Sequence, residues 1–132
     1  MAFLTPDVGE NLVCEMIVNK TASQNLVVKL FQSNTTPAEG DTAVTYTEAT
    51  FSGYIAATLT GASWGAASAG TITYAQQTFT HNGGATANSI YGYFIIQTTS
   101  TVLLLAERDA GGPYTITNNG DNIKITPSIS VA

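Results

Sequence analysis

The sequence predicts a mainly β protein, an antiparallel β-sandwich with a jelly-roll-like arrangement and a short N-terminal helix or arm. Three observations lead to this prediction. Seven or eight short apolar segments alternate with turn-forming residues along the 132-residue chain. Strands do not alternate with long helices, so a parallel sheet is not expected. Residues 89–109, SIYGYFIIQTTSTVLLLAERD, predict a central hairpin whose two strands, 90–98 and 102–107, are apolar on both faces.

The N-terminal segment predicts an arm and one amphipathic element. We assign residues 1–10 to the arm and residues 11–132 to a single β-sandwich domain. Thr5 as the cap, Pro6 at the first helical position and Asp7 near the positive end of the dipole predict a helix start. An apolar stripe with helical spacing follows, formed by Val8, Leu12, Val13, Met16 and Ile17. A strand is the alternative, with Leu12, Cys14, Met16 and Val18 on one side.

Alternating apolar and polar residues predict the other strands of the domain. These strands are expected at 26–32, 54–60, 71–80, 114–117 and 123–131. The apolar residues change parity across 75–77, which predicts a bulge or bend in that strand. Pro127 lacks a backbone donor, so the final strand is expected to lie at an edge or to carry a bulge there.

The hairpin has one more apolar face than a single core can cover. A loop, the N-terminal segment or a second copy of the protein must cover the surplus face. Because aromatic residues and Arg are enriched at interfaces, we expect outward residues of the hairpin to mediate self-association. These residues are Tyr91, Tyr93, Leu103, Leu105 and Arg108. Coverage by the amphipathic segment 8–18 is the alternative and predicts a self-sufficient monomer.

Composition and charge exclude several classes of partner. Charged residues make up 10% of the chain, and nine acidic against four basic residues give a net charge of −5. A phosphate-binding surface needs clustered Lys and Arg, so we expect no nucleic-acid partner. Apolar runs are too short to cross a bilayer, and the N-terminus has no basic region or apolar signal core, so we expect no membrane partner and no export.

The sequence also predicts no catalytic, metal or cofactor site. His81 is the only histidine, and no cluster of Asp, Glu or Cys accompanies it. Glu107, Arg108 and Asp109 are adjacent in sequence, which favours a solvated or interface ion cluster over facing catalytic acids. The single cysteine, Cys14, is expected to be a buried free thiol.

Several short segments resemble small structural proteins of tailed bacteriophages. The resemblance covers nearly the whole chain and implies a non-enzymatic virion protein. It implies in particular a capsid decoration or cement protein, a homotrimer bound to the major capsid protein on the outer head surface and made in the host cytoplasm. The segments are TPDVGE at 5–10, NLVVKLF at 25–31, TEATFSGY at 47–54, Trp64, YGYF at 91–94, LAER at 105–108, GPY at 112–114 and GDNIKITP at 120–127.

Two further expectations follow from this resemblance. The arm residues Phe3, Leu4 and Pro6 are expected to reach the capsid or a neighbouring subunit. A carbohydrate-recognising head-fibre or tail module is the alternative function. Its stacking platforms would be Trp64, Tyr54, Tyr91 or Tyr114. For Trp64 itself, a plug packed onto the end of the sandwich is favoured, because an exposed indole leaves a costly apolar surface.

Overall fold

The computed structural model describes residues 4–18 and 20–131, and within these ranges the protein is mainly β with one α-helix. The helix α1 spans Asp7–Ile17, and single-turn 3-10 helices lie at Ala43–Thr45 and Gly61–Ser63. The strands are β1 (Leu26–Phe31), β2 (Ala57–Leu59), β3 (Thr71–Thr73), β4 (Gln77–Thr80), β5 (Asn88–Ile90), β6 (Gly92–Gln97), β7 (Leu103–Arg108), β8 (Tyr114–Ile116), β9 (Asn122–Ile125) and β10 (Ser128–Ser130).

The strands form one four-stranded sheet and three separate pairs. The four-stranded sheet has the order β2-β1-β6-β7, and the pairs are β10-β3, β4-β9 and β5-β8. All of these pairings are antiparallel, which confirms the prediction of a mainly β, antiparallel protein. The sheets are small, and the jelly-roll-like sandwich stays a prediction.

Two segments that the sequence predicts as long strands are each divided in two. The segment 71–80 forms β3 and β4, and 123–131 forms β9 and β10, with Pro127 in the break, where the sequence predicted an edge position or a bulge. Because β3 pairs with β10 and β4 with β9, both segments change sheet together. The N–H of Tyr74 donates to the carbonyl of Pro127 at 2.8 Å and bridges the break. A proline without a donor therefore separates the two pairs.

The central hairpin β6–β7 is present, but its register contains a feature that the sequence did not predict. Leu105 lies opposite Ile95 while Leu103 lies opposite the next residue, Ile96, so Leu104 is an extra residue in β7. An extra residue reverses the alternation of side chains beyond it. Leu103 and Leu105, which were expected to share a face, consequently belong to different apolar clusters.

The amphipathic N-terminal segment is a helix, not the alternative strand, although it begins one residue later than predicted. Pro6 occupies the cap position, no side chain caps the helix, and the N–H of Asp7 instead donates to the carbonyl of Glu39 at 3.0 Å. The helix lies directly on β7, where a methyl group at Gly9 would overlap the carbonyl oxygen of Leu104. The predicted boundary between residues 10 and 11 falls inside this helix.

Candidate functional site

Both faces of the hairpin are covered by the chain itself. On one face Leu105 packs in a cluster with Val28, Leu30 and other residues of β1, and on the other Leu103 packs with Phe94 and neighbouring residues. Of the predicted interface residues, Tyr93, Leu103 and Leu105 are all buried within the single chain. The outward placement predicted for these three side chains is therefore wrong, because segments distant in sequence cover them.

The cover of the second face comes from the segment around the first 3-10 helix and from α1. Tyr46 stacks on Phe94 with ring centroids 5.3 Å apart and tilts against Phe31 at 5.0 Å. Val8 of α1 packs against the same cluster. The Tyr46 hydroxyl donates to Asp41 at 2.7 Å, which anchors the ring at its polar end. Of the three possible covers that the sequence allowed, a loop and the N-terminal helix are the ones that cover this face.

Arg108, predicted as an intersubunit ion-pair partner, makes its contacts inside the chain. Its guanidinium donates to the Thr35 carbonyl at 3.0 Å and to the Asn34 side-chain oxygen at 2.7 Å. The guanidinium carbon also lies 5.0 Å from the centre of the Tyr91 ring, a cation–π distance. The planar group thus clamps the loop at 34–35 to the end of the hairpin, and Tyr91 is half-buried beneath it.

The acidic neighbours of Arg108 also have local partners. Glu107 accepts a hydrogen bond from the Tyr93 hydroxyl at 2.6 Å, and Asp109 accepts one from the N–H of Gly111 at 2.8 Å. Burial, the hydrogen bond to Glu107 and the charge of that carboxylate raise the pKa of Tyr93 far above its ordinary value. In the part of the chain that the structure describes, the ion pairs are Lys20–Glu15 and Lys29–Glu48, and the solvated or interface ion cluster at 107–109 stays a prediction.

The described part of the predicted N-terminal arm is fixed to the domain. Leu4 exchanges two backbone hydrogen bonds of 2.9 Å with Ala106 at the outer edge of β7. Pro6 is fully buried. Neither residue is therefore free to reach a neighbour, and Phe3 lies outside the described residues.

The aromatic residues considered for carbohydrate stacking have different environments. Trp64 is half-buried with its ring edge-on to Tyr74 at 5.2 Å, in agreement with the favoured plug. The Tyr54 hydroxyl accepts from the N–H of Leu30 at 3.1 Å and donates to Glu48 at 3.2 Å. Tyr114 is the most exposed of these, at 41%, and its hydroxyl donates to Asp109 at 3.1 Å.

An apolar groove lies between α1 and the C-terminal strand, and we refer to it as the helix groove. It consists of two adjoining hollows of about 370 and 220 Å³. Their walls share Val13, Leu104, Ile129 and Val131. Trp64 and Met16 line the smaller hollow, while Glu10 and Cys14 line the larger one. The wall is mainly apolar, with polar groups from the helix side, from Ser130 of β10 and from Gln24.

Exposed apolar side chains lie beside the helix groove. Ile17, near the end of α1, is 78% exposed, and Val131 is 73% exposed. Cys14 is also exposed, which corrects the expectation of a buried thiol. Glu10, Cys14 and Ile17 follow one another at intervals of four and three residues, so they form a second stripe along the helix. The sequence assigned Ile17 to the apolar stripe of α1, and the structure corrects this: Val8, Leu12, Val13 and Met16 pack against the core, whereas Ile17 is exposed.

His81, the first residue of the polar loop 81–88, is buried although its side chain is polar. It is 1% exposed, and its ring stacks on Phe51 with centroids 6.1 Å apart. Its Nε2 lies 3.0 Å from the carbonyl oxygen of Thr86, and its Nδ1 accepts a hydrogen bond from the N–H of Gly83 at 3.0 Å. Both ring nitrogens are therefore occupied by backbone groups.

A second turn, at 118–121, packs against His81 through the backbone. The N–H of His81 donates to the carbonyl of Asp121 at 2.9 Å, and the N–H of Gly120 donates to the carbonyl of His81 at 3.0 Å. Hydrogen bonds from the N–H groups of Asn118 and Thr117 lower the pKa of Asp121. The two turns thus form one hydrogen-bonded unit.

Comparisons with known proteins complete this description. A scan against protein-family models and a search of curated proteins found no match to this chain. Within residues 4–18 and 20–131, no three His, Cys, Asp or Glu side chains lie close enough together to hold a metal ion. Over the same described ranges, no helix has both the length and the apolar character needed to cross a bilayer.

Proposed function

We propose that this chain is a non-enzymatic structural protein of a tailed bacteriophage, a capsid decoration protein that binds the outer head surface as a homotrimer and stabilises the shell. The sequence resemblance supports the assignment to a phage particle. The uncharged polar composition supports an external position in an assembly. The jelly-roll-like sandwich belongs to the same proposal, as does the major capsid protein as partner.

One observation carries the assembly part of the proposal: the helix groove is apolar and open, the exposed Val131 lies in its wall, and the exposed Ile17 continues the helical stripe of the groove residues Glu10 and Cys14. Ile17 and Val131 each leave more than two thirds of their surface in solvent. Contiguous exposed apolar surface on a small protein marks a site for contact with another protein. Both faces of the hairpin are covered within the chain and expose no such surface. We therefore place the proposed interface at the helix groove.

We assign a second copy of this chain as the occupant of the groove. The exposed Ile17 side chain and the hollow lined by Val13, Ile129 and Val131 are both apolar and occupy different positions on the chain, so one can pack into the other across a head-to-tail contact. In a closed ring, each subunit can place its Ile17 in the groove of the next. Repeated weak contacts of such a ring with a capsid lattice then add up to firm binding.

The test compares substitutions at two exposed aliphatic positions. Ile17→Asp places a charge on the helical stripe that contains the groove residues Glu10 and Cys14, whereas Val44→Asp alters a side chain that is 93% exposed on a different element, the first 3-10 helix. We expect the Ile17 variant to sediment as a folded monomer at micromolar concentration, while the Val44 variant and the parent protein remain trimers. A parent protein that is monomeric at that concentration and does not bind or stabilise capsids lacking it contradicts the proposal.

Tyr114 favours a second candidate, recognition of host-surface carbohydrate by a head-fibre or tail module. Its ring is exposed and its hydroxyl is fixed by Asp109, so a flat apolar face stands next to a carboxylate that can accept hydrogen bonds. Binding to a glycan array that Tyr114→Ala abolishes without unfolding the protein would support this candidate. Trp64 and Tyr54 contribute less to it, because their rings pack against other side chains.

A further inference from the structure

The turn His81-Asn82-Gly83-Gly84 places four reacting groups together. When Gly follows Asn, the backbone nitrogen of the Gly can attack the side-chain amide carbon of the Asn and close a five-membered succinimide ring. The attack requires a base that removes the proton from that nitrogen and a donor that stabilises charge on the amide oxygen. The leaving group is the side-chain amide nitrogen, which departs as ammonia.

The base is present at the required distance. Gly83 donates its N–H to Nδ1 of His81 at 3.0 Å, within the reach of a general base. The other ring nitrogen, Nε2, faces the Thr86 carbonyl oxygen at 3.0 Å, and a carbonyl can only accept. Nε2 therefore carries the proton of the neutral ring, which leaves a lone pair on Nδ1 directed at the Gly83 nitrogen.

The remaining requirements are met by the same turn. The N–H of Gly84 donates to the side-chain oxygen of Asn82 at 3.2 Å, so a donor already points at the atom on which negative charge develops. Gly83 has a φ of +88° and carries no side chain, so its nitrogen is open to the neighbouring amide. Asn82 and Gly83 are exposed, which gives water access to the product.

We propose that Asn82 is a self-modifying site that converts to aspartate and isoaspartate through a succinimide, with His81 as the general base. Nδ1 takes the proton of the Gly83 nitrogen, and a bond forms between that nitrogen and Cγ of Asn82. The bond from Cγ to the amide nitrogen breaks, and this nitrogen receives the proton and leaves as ammonia. Water then opens the ring at either carbonyl, which gives an aspartyl or an isoaspartyl residue.

The chain contains its own matched control, a second Asn-Gly pair at Asn119 and Gly120. In this pair the N–H of Gly120 donates to the backbone carbonyl oxygen of His81 at 3.0 Å. A carbonyl oxygen holds the hydrogen but does not remove the proton, so the nitrogen stays unreactive. The two pairs share sequence, exposure and a left-handed Gly, and they differ in the group that faces the Gly nitrogen. At Asn82 the N–H of Gly84 also donates to the side-chain oxygen, so the His81→Gln variant is needed to isolate the contribution of the base.

The conversion would change the charge and the backbone of the loop 81–88. It adds one carboxylate to a chain whose net charge is −5. An isoaspartyl residue also lengthens the backbone beside two hydrogen bonds of 3.0 Å that fasten the loop to Ser52, from the N–H of Asn82 and the N–H of Thr86. The modified loop is expected to be less firmly attached to the domain.

The experiment incubates the full chain near neutral pH and follows both pairs by mass spectrometric peptide mapping. General-base assistance typically contributes about a hundredfold or more to a rate, so we expect Asn82 to convert roughly a hundredfold faster than Asn119. His81→Gln keeps a hydrogen-bond acceptor but supplies no base, and it should bring the two rates close together. Asn82→Asp provides the product standard.

Two results would overturn the assignment. One is conversion of Asn119 as fast as Asn82 in the parent protein, and the other is an undiminished rate at Asn82 in a folded His81→Gln variant. If that variant does not fold, the two rates in the parent protein decide, and a ratio near one rules out the imidazole as the base.

Discussion

The β6–β7 hairpin and the helix groove are both apolar, but only one of them is available to a partner. The hairpin is the more apolar region in sequence, and the structure buries Leu103 and Leu105 on opposite sides of it. The helix groove is bordered by residues of a short helix and a short C-terminal strand, and Ile17 and Val131 remain in solvent. An apolar stretch of sequence thus identifies residues that must be buried. Which apolar surface remains exposed depends on which distant segments pack over it.

The loop that packs over the hairpin explains why the hairpin is buried while the helix groove is exposed. Tyr46 lies roughly fifty residues before the strand that it protects, and it reaches Phe94 only because the loop around it folds back over the sheet. No comparable segment lies over the outer side of α1 among the described residues. A free face therefore remains on the helix, even though the helix contributes Val8 and Leu12 to the two clusters of the core.

The largest effect should come from a charge placed in the hairpin. Leu103 is 1% exposed, so Leu103→Asp should cost at least about 4 kcal/mol and unfold the chain, because a buried carboxylate has no partner there. At a protein concentration low enough for both proteins to be monomeric, Ile17→Asp should change the free energy of unfolding by less than about 1 kcal/mol, since the side chain then lies in water and only the helix dipole opposes the new charge. Urea titrations of both variants, followed by circular dichroism, measure the contrast. A stable, folded Leu103 variant would place that side chain at a surface and reverse the comparison.

A smaller loss of stability is expected from a substitution at Gly9, where α1 contacts strand β7 of the hairpin. Gly9→Ala should destabilise the protein by about 2 kcal/mol, because the added methyl overlaps the Leu104 carbonyl and pushes α1 away from β7. This loss exceeds the gain of about 1 kcal/mol that Ala normally brings to a helix. Gly40→Ala is the control, since nothing lies within 4 Å of a methyl group there. Thermal unfolding of the pair tests the close helix contact, and equal stabilities would contradict it.

The smallest expected effect is on the pH dependence of stability, which should differ between a buried tyrosine of the hairpin and an exposed tyrosine. The folded state raises the pKa of Tyr93 above its usual value near 10, so the stability from the neutral phenol is present below about pH 10 and lost as the pH rises above it. Tyr93→Phe should cost about 1 kcal/mol at neutral pH and reduce the loss at alkaline pH. Tyr114→Phe should reduce that loss less, because its ring is exposed. Equal alkaline slopes in the two variants would contradict this assignment.

The functional residues were less predictable than the elements that carry them. The sequence selected Tyr93, Leu103 and Leu105 as surface residues because strict alternation placed them on one face. The extra residue at Leu104 breaks that alternation, and a bulge has no signature in a run of leucines. Arg108 was predicted to lie at an intersubunit interface, and its hydrogen-bond partners in the structure, Asn34 and Thr35, lie in the same chain.

Local pattern alone determined several features of this protein. The apolar stripe of α1, the hairpin at 89–109 and the strand break at Pro127 follow from side-chain periodicity and from the missing donor of proline, which act between near neighbours. Tertiary structure decided the rest. Whether Tyr46 or a second subunit covers the hairpin, and whether His81 faces Gly83 or solvent, depends on contacts between distant segments, which no local periodicity encodes.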